Sequence, residues 1–149
     1  MSQNVRAIDL YDGGNFRILR EYYPKLEDVV DVMIISAKYG LISPESKISY
    51  YNVTVNDLSN EEKKKLSDQI TNNLKKFMEN KIYNQVFLDL GKNYMELLEN
   101  YDFYPIEVIR EEGGIGMKLQ RLKQFLEDKT KKGNLADFEI SEYKEDDKI

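Results

Sequence analysis

The chain has 149 residues, 41% hydrophobic and 33% charged, with a formal net charge of −5, a length that suits one domain with its own core. It contains no cysteine and no histidine, which excludes disulfides, thiolate nucleophiles, Ser-His-Asp triads and Cys/His zinc sites. The acidic balance argues against broad nonspecific DNA binding, and no apolar run is long enough to cross a bilayer, so a cytoplasmic protein without a membrane partner is expected.

Residues 1–7, MSQNVRA, carry no strong pattern. After AIDLYDGG, the spacing of Phe16, Leu19 and Tyr23 predicts a helix over 14–23, with Asn15 or the glycines near its start and Pro24 stopping it. VVDVMIIS (29–36) is β-branched and almost wholly apolar, as in a strand covered on both faces of a parallel sheet. ISYYNVTV alternates and suits an edge strand. Ser59 followed by Glu62 forms a capping box, and Leu66, Ile70, Leu74, Phe77 and Met78 continue an apolar stripe to about residue 79.

QVFLDLG (85–91) predicts a second buried strand, which passes through Gly91 into a short helix, KNYMELLENY. Pro105 opens a third strand, PIEVIR. EEGGIG then leads into a final helix, MKLQRLKQFLEDKTKK, with Leu119, Leu122, Phe125 and Leu126 on one face and Gly133 and Asn134 at its end. The acidic remainder, 136–149, reads as a mobile tail; docking of Phe138 and Ile140 is the other reading. Strands alternating with helices predict a three-layer α/β domain over 1–135, with a mainly parallel central sheet flanked by helices.

In open parallel sheets, ligands bind outside the carboxyl ends of the strands. Three loops leave such ends here, SAKYGLISP, LGKNY and REEGGIGMK, and each contains glycine and lysine. Gly113, Gly114 and Gly116 precede a helix, so their amides could face an anion, with Lys118 and Arg110 adding charge. A tight strand-to-helix turn is the other reading, since GGIG lacks the Walker spacing and the dinucleotide fingerprint.

In SAKYG, Ser36 is a candidate hydrogen-bonding group, Lys38 an anion contact, and Tyr39 a stacking surface or proton donor. Gly40 would permit a left-handed turn. The plainer reading is a tyrosine packed over a turn. Tyr50, Tyr51 and Asn52 could continue an aromatic platform for bases. Asp89, just before Gly91, joins Tyr39 as a candidate proton-transfer group. Asp9 and Tyr11 sit before a helix without forming a paired-carboxylate motif. Glu111 and Glu112 read as solvated, and nothing identifies a metal-ligand set or a cofactor.

Four stretches, AIDLYDGGNFRILREYY, IISAKYGLISPESKISYYNVTV, VFLDLGKNYMELL and EGGIGMKLQRLKQFL, together resemble a family of small bacterial and archaeal proteins of unknown function, over residues 7–130. A more distant likeness is to the YaaA-type peroxide-stress proteins, which place a Tyr-Gly segment, a proline and a tyrosine cluster after a central strand. The resemblance implies an α/β fold and nucleobase- or nucleic-acid-related work. The positions that match are Tyr11, Phe16, Ser36, Lys38, Tyr39, Gly40, Tyr51, Asn52, Gly91, Gly113, Gly114 and Gly116, with Phe16 expected in the core. Family members begin with a strand and a Cys-Ser-x-Lys loop, and that N-terminal strand is expected to be missing here.

The resulting expectation is a small anionic or nucleotide-like ligand (a nucleotide, nucleobase or nucleic-acid end) at the strand carboxyl ends, in connection with nucleic-acid modification. A noncatalytic interaction module or homo-oligomer, built through an unfilled sheet edge, is the competing expectation. Direct DNA binding would need Arg17, Arg20, Lys118, Arg121 and Lys123 to share one face.

Overall fold

The computed structural model describes residues 4–110, 114–132 and 137–142. Val5–Arg6 (β1) runs into a short helix, Ala7–Leu10 (α1), where the sequence showed no pattern. Gly14–Tyr22 (α2) follows, burying Phe16, Leu19 and Tyr22. Tyr23 and Pro24 then turn the chain through a 3-10 segment toward Val30–Ser36 (β2). Gly40–Ile42 (β3) and Lys47–Ile48 (β4) come next. ISYYNVTV is mostly irregular, with only its first residue in β4.

Asn60–Met78 (α3) starts where its capping box places it. The Glu62 amide donates to Ser59 Oγ at 3.1 Å, and the Ser59 amide donates to Glu62 Oε1 at 2.9 Å, so two otherwise unpaired groups of the first turn are satisfied. Leu66, Ile70 and Leu74 are its buried stripe. Gln85–Asp89 (β5), Lys92–Met95 (α4), Glu107–Arg110 (β6), Ile115–Lys132 (α5) and Asp137–Glu142 (β7) complete the described elements.

The expected extended, mainly parallel sheet in three layers is corrected by these elements. Helices hold more residues than strands, and the strands are short. Pairing is mixed: β1 and β4 form a separate two-stranded antiparallel sheet, and β3 pairs antiparallel with β2. Parallel ladders join β2 to β7, β7 to β5 and β5 to β6, in the order β3-β2-β7-β5-β6. The physical reason lies at Gly40, whose φ of 78° is a left-handed conformation that glycine adopts without a Cβ penalty. It turns the chain back on β2 as a hairpin instead of releasing it into a crossover. Residues 137–142, read from composition as part of an acidic tail, instead form β7 between β2 and β5; residues 143–149 lie outside the described residues.

The core has two clusters. One joins Phe16 and Leu19 of α2, Val32 and Ile34 of β2, Phe87 of β5 and Leu122 and Leu126 of α5. The other joins Ile70 and Leu74 of α3, Ile35 of β2, Val86 and Leu88 of β5 and Leu97 after α4. Residues alternate between the clusters along β5 as strand geometry requires. A Cβ on Gly14 would lie 3.0 Å from Leu119 Cδ1, so the glycine lets α5 close on the start of α2.

Candidate functional site

The parallel strands β2, β5 and β6 end at Ser36, Asp89 and Arg110. Ile34, Ser141 and Asp89 lie in one row across the sheet, so Ser36 stands two residues beyond the level of Asp89. Both side chains are buried, Ser36 fully and Asp89 to 4% exposure.

The segment entering α2 reaches both strand ends. Tyr51 bonds Tyr11 through their hydroxyls at 2.8 Å, and Ser36 Oγ donates to the Tyr51 hydroxyl at 2.7 Å. Ser36 Oγ also accepts the amides of Lys38 and Tyr39, at 3.1 and 3.0 Å, closing the turn at the hairpin tip. Asn15 Nδ2 donates to Asp89 Oδ2 at 3.1 Å. Tyr11 and Asn15 thereby clamp β2 and β5 from one short stretch of chain.

The ring contacts extend this arrangement outward. Tyr51 meets the edges of Tyr11 and Tyr39, with centroids 6.3 and 5.5 Å away, and Tyr11 packs on Phe16 at 4.9 Å. Burial raises the Tyr51 pKa above its ordinary value, against the lowering effect of its bonds to Ser36 and Tyr11. Its hydroxyl therefore stays protonated at neutral pH, and the cluster is an uncharged hydrogen-bonded support.

Of the residues singled out in the sequence, Ser36, Tyr39 and Tyr51 come together, with Ser36 turned inward to hold the hairpin. Lys38 is exposed, its ammonium 5.2 Å from the Tyr39 ring centroid, within cation–π range. No carboxylate pairs with Lys38 among the described residues. Asn52 is exposed, and Gly91 caps the start of α4.

Gly114 and Gly116 have no positive φ, and an added Cβ at either would meet nothing within 4 Å. Lys118 is half-buried and donates its amide to the Gly114 carbonyl at 3.0 Å. Gly113, Glu111 and Glu112 lie outside the described residues. Arg110 lines a hollow with Leu88, Lys92 and Glu99 on the α4 side of the sheet. Arg17 and Arg20 both pair with Asp12, which blunts the basic face required for direct DNA binding.

Sequence reading passed over the roles of Tyr11 and Asn15. Their only local signal is a polar residue on either side of Asp-Gly-Gly at a helix start. A cleft of about 800 Å³ lies elsewhere, beside the amino half of β2 between Val30–Met33 and Ser43–Glu45. We place the candidate site at the carboxyl ends because the buried polar side chains converge there; the cleft walls carry surface ion pairs. Among the described residues no carboxylate group of three or more could hold a metal, and no helix is long and apolar enough to cross a membrane.

The arrangement is a buried polar and aromatic cluster on a mixed-sheet domain. A family model described as a family of unknown function (DUF6884) matches residues 1–124, and the chain belongs to that family. The match spans Tyr11, Asn15, Ser36, Tyr51 and Asp89, and it lends no support to the YaaA-type likeness. No curated protein and no solved structure matches the chain.

Proposed function

We propose that this protein binds a nucleotide-like ligand, an anionic group joined to a planar one, over the hairpin tip at the carboxyl end of β2. The observation that carries this reading is the Lys38–Tyr39 pair, an unneutralised ammonium beside an aromatic ring on a turn fixed from below by Ser36 and Tyr51. A preorganised rim loses less side-chain freedom when a ligand lands on it. Gly114 and Gly116 support the same reading. Neither backbone conformation nor packing requires glycine there, and Gly116 lies in the first turn of α5, where backbone amides have no intrahelical partner. Asp89 is engaged by Asn15 and serves to anchor α2, so the reading is one of binding.

Calorimetric titration with nucleoside monophosphates, nucleoside triphosphates and short single-stranded oligonucleotides tests it. Lys38→Ala removes a charged contact worth about 1.5–3 kcal/mol, and the expected loss of affinity is about ten- to a hundredfold. Gly114→Val should weaken binding while leaving the fold intact, because its side chain enters open space. Absence of binding by every probe, or binding indifferent to both substitutions, would sink the proposal.

A further inference from the structure

β2 is seven residues long, but β3 covers only Ile34, Ile35 and Ser36 on one side. On its other side the β7 ladder continues down to Val30. The Val30 amide is taken by the Leu26 carbonyl at 2.9 Å, so Asp31–Met33 has one paired side and one open side. The chain leaves β2 after Ile42 because Ser43–Ser46 forms its own turn: the Ser46 amide donates to the Ser43 carbonyl at 3.0 Å, and the Glu45 amide to Ser43 Oγ at 3.1 Å. The carbonyls of Pro44 and Ser46 are taken by the amides of Ile8 and Ala7, at 3.1 and 2.8 Å. Among the described residues no backbone bond joins Asp31–Met33 to this segment. The gap between the two is the cleft of about 800 Å³.

Asp31–Met33 offers about 10 Å of open edge, and unpaired strand edges are templates for added strands. The charge of the cleft narrows the choice of occupant. Its cations are already matched: Arg6 by Asp9 and Glu45, Arg20 by Asp12, and Lys81 by Asp31. Glu27 and Asp28, on the same wall beside Val30, are exposed and make no ion pair among the described residues. The surplus charge is negative and lies at the amino end of the open edge. We infer that this cleft takes an extended peptide segment of a partner protein, added as a strand along Asp31–Met33, with a lysine or arginine side chain reaching Glu27 and Asp28.

A randomised ten-residue peptide library displayed on phage, selected against the whole chain, supplies the probe. Enriched sequences should alternate apolar residues and carry a basic residue near one end. Synthetic copies should slow amide hydrogen exchange within Asp31–Met33. N-methylation of alternate peptide amides should abolish binding, since it removes the ladder and spares the side chains. Glu27→Gln with Asp28→Asn should weaken binding about two- to fivefold per carboxylate, the range of exposed ion pairs. Asparagine also tolerates the positive φ of 65° at Asp28, so this variant keeps the turn. The inference is overturned if no sequence is enriched, or if binding leaves exchange within Asp31–Met33 unchanged. Indifference to N-methylation overturns it too, as does concentration-dependent self-association that protects the same amides without peptide.

Discussion

The two ends of β2 use polar residues in opposite ways. At the carboxyl end, Tyr11, Ser36, Tyr51, Asn15 and Asp89 are buried and bonded to one another through side chains. At the amino end, Arg6 holds Asp9 and Glu45, and Lys81 and Tyr83 hold Asp31, in contacts open to solvent at most of their members. A buried network lacks water to replace a lost partner, so each member is costly to remove and the geometry is fixed. Solvated ion pairs are screened and exchangeable. The first end is suited to presenting a fixed rim, and the second to accepting a chain that rearranges its side chains on arrival.

The sharpest way to break the contrast is Tyr51→Phe, which removes the hydroxyl bonded to both Tyr11 and Ser36 and preserves the ring. The expected cost is about 1–3 kcal/mol, read as a lower midpoint in urea denaturation. A cost near zero would mean that the hydroxyl cluster does not hold the hairpin, and the distinction between the two ends would fall with it.

Alkaline titration probes both ends together. Burial is the first cause at each of three tyrosines: it raises Tyr51, pushes Tyr23 up to about 12 with help from Glu45, and raises Tyr83 with help from Asp31. An unfolded tyrosine ionises near pH 10, while these three stay protonated in the folded chain. Their contribution is therefore complete below about pH 10 and declines as the pH climbs toward the folded values. Stability measured from pH 8 to 12 should fall above about pH 10, and Tyr51→Phe should flatten part of that fall. A stability curve with no decline over that interval would show that burial does not hold these hydroxyls protonated.

The sequence makes the local half of this structure readable and the nonlocal half obscure. α2, α3 and α5 follow from periodicity, and the Ser59–Glu62 capping box marks the first residue of α3 because its bonds span only three positions. β7 escapes such a reading. Asp137–Glu142 is short and acidic, and what makes it a strand is the pair of ladders supplied by β2 and β5. The hairpin after β2 was within reach, since Gly40 signalled a left-handed turn, but a loop and a hairpin share that signal. Lys38 and Tyr39 could be placed on a strand exit from pattern alone. Tyr11 with Tyr51 and Asn15 with Asp89 could not, because each pair is joined by the tertiary fold across a long stretch of chain.

The smallest expected effect sharpens the contrast from the amino end. Arg6 donates to Asp9 at 2.7 Å and to Glu45 at 3.1 Å, and both carboxylates are substantially exposed. Replacing it, as in Arg6→Met, removes two ion pairs yet retains an apolar stem of similar length. Each exposed pair contributes about 0–1 kcal/mol, so the variant should lie within about 1 kcal/mol of the parent in low salt. Raising ionic strength should shrink even that difference, because it screens the pairs in the parent. The same salt increase should leave the cost of Tyr51→Phe unchanged, since neutral hydroxyl bonds inside the protein are not screened. If Arg6→Met cost as much as Tyr51→Phe, or if salt altered both alike, the amino-end pairs would be part of the rigid frame. The open edge of β2 would then be held as firmly as the hairpin at its other end.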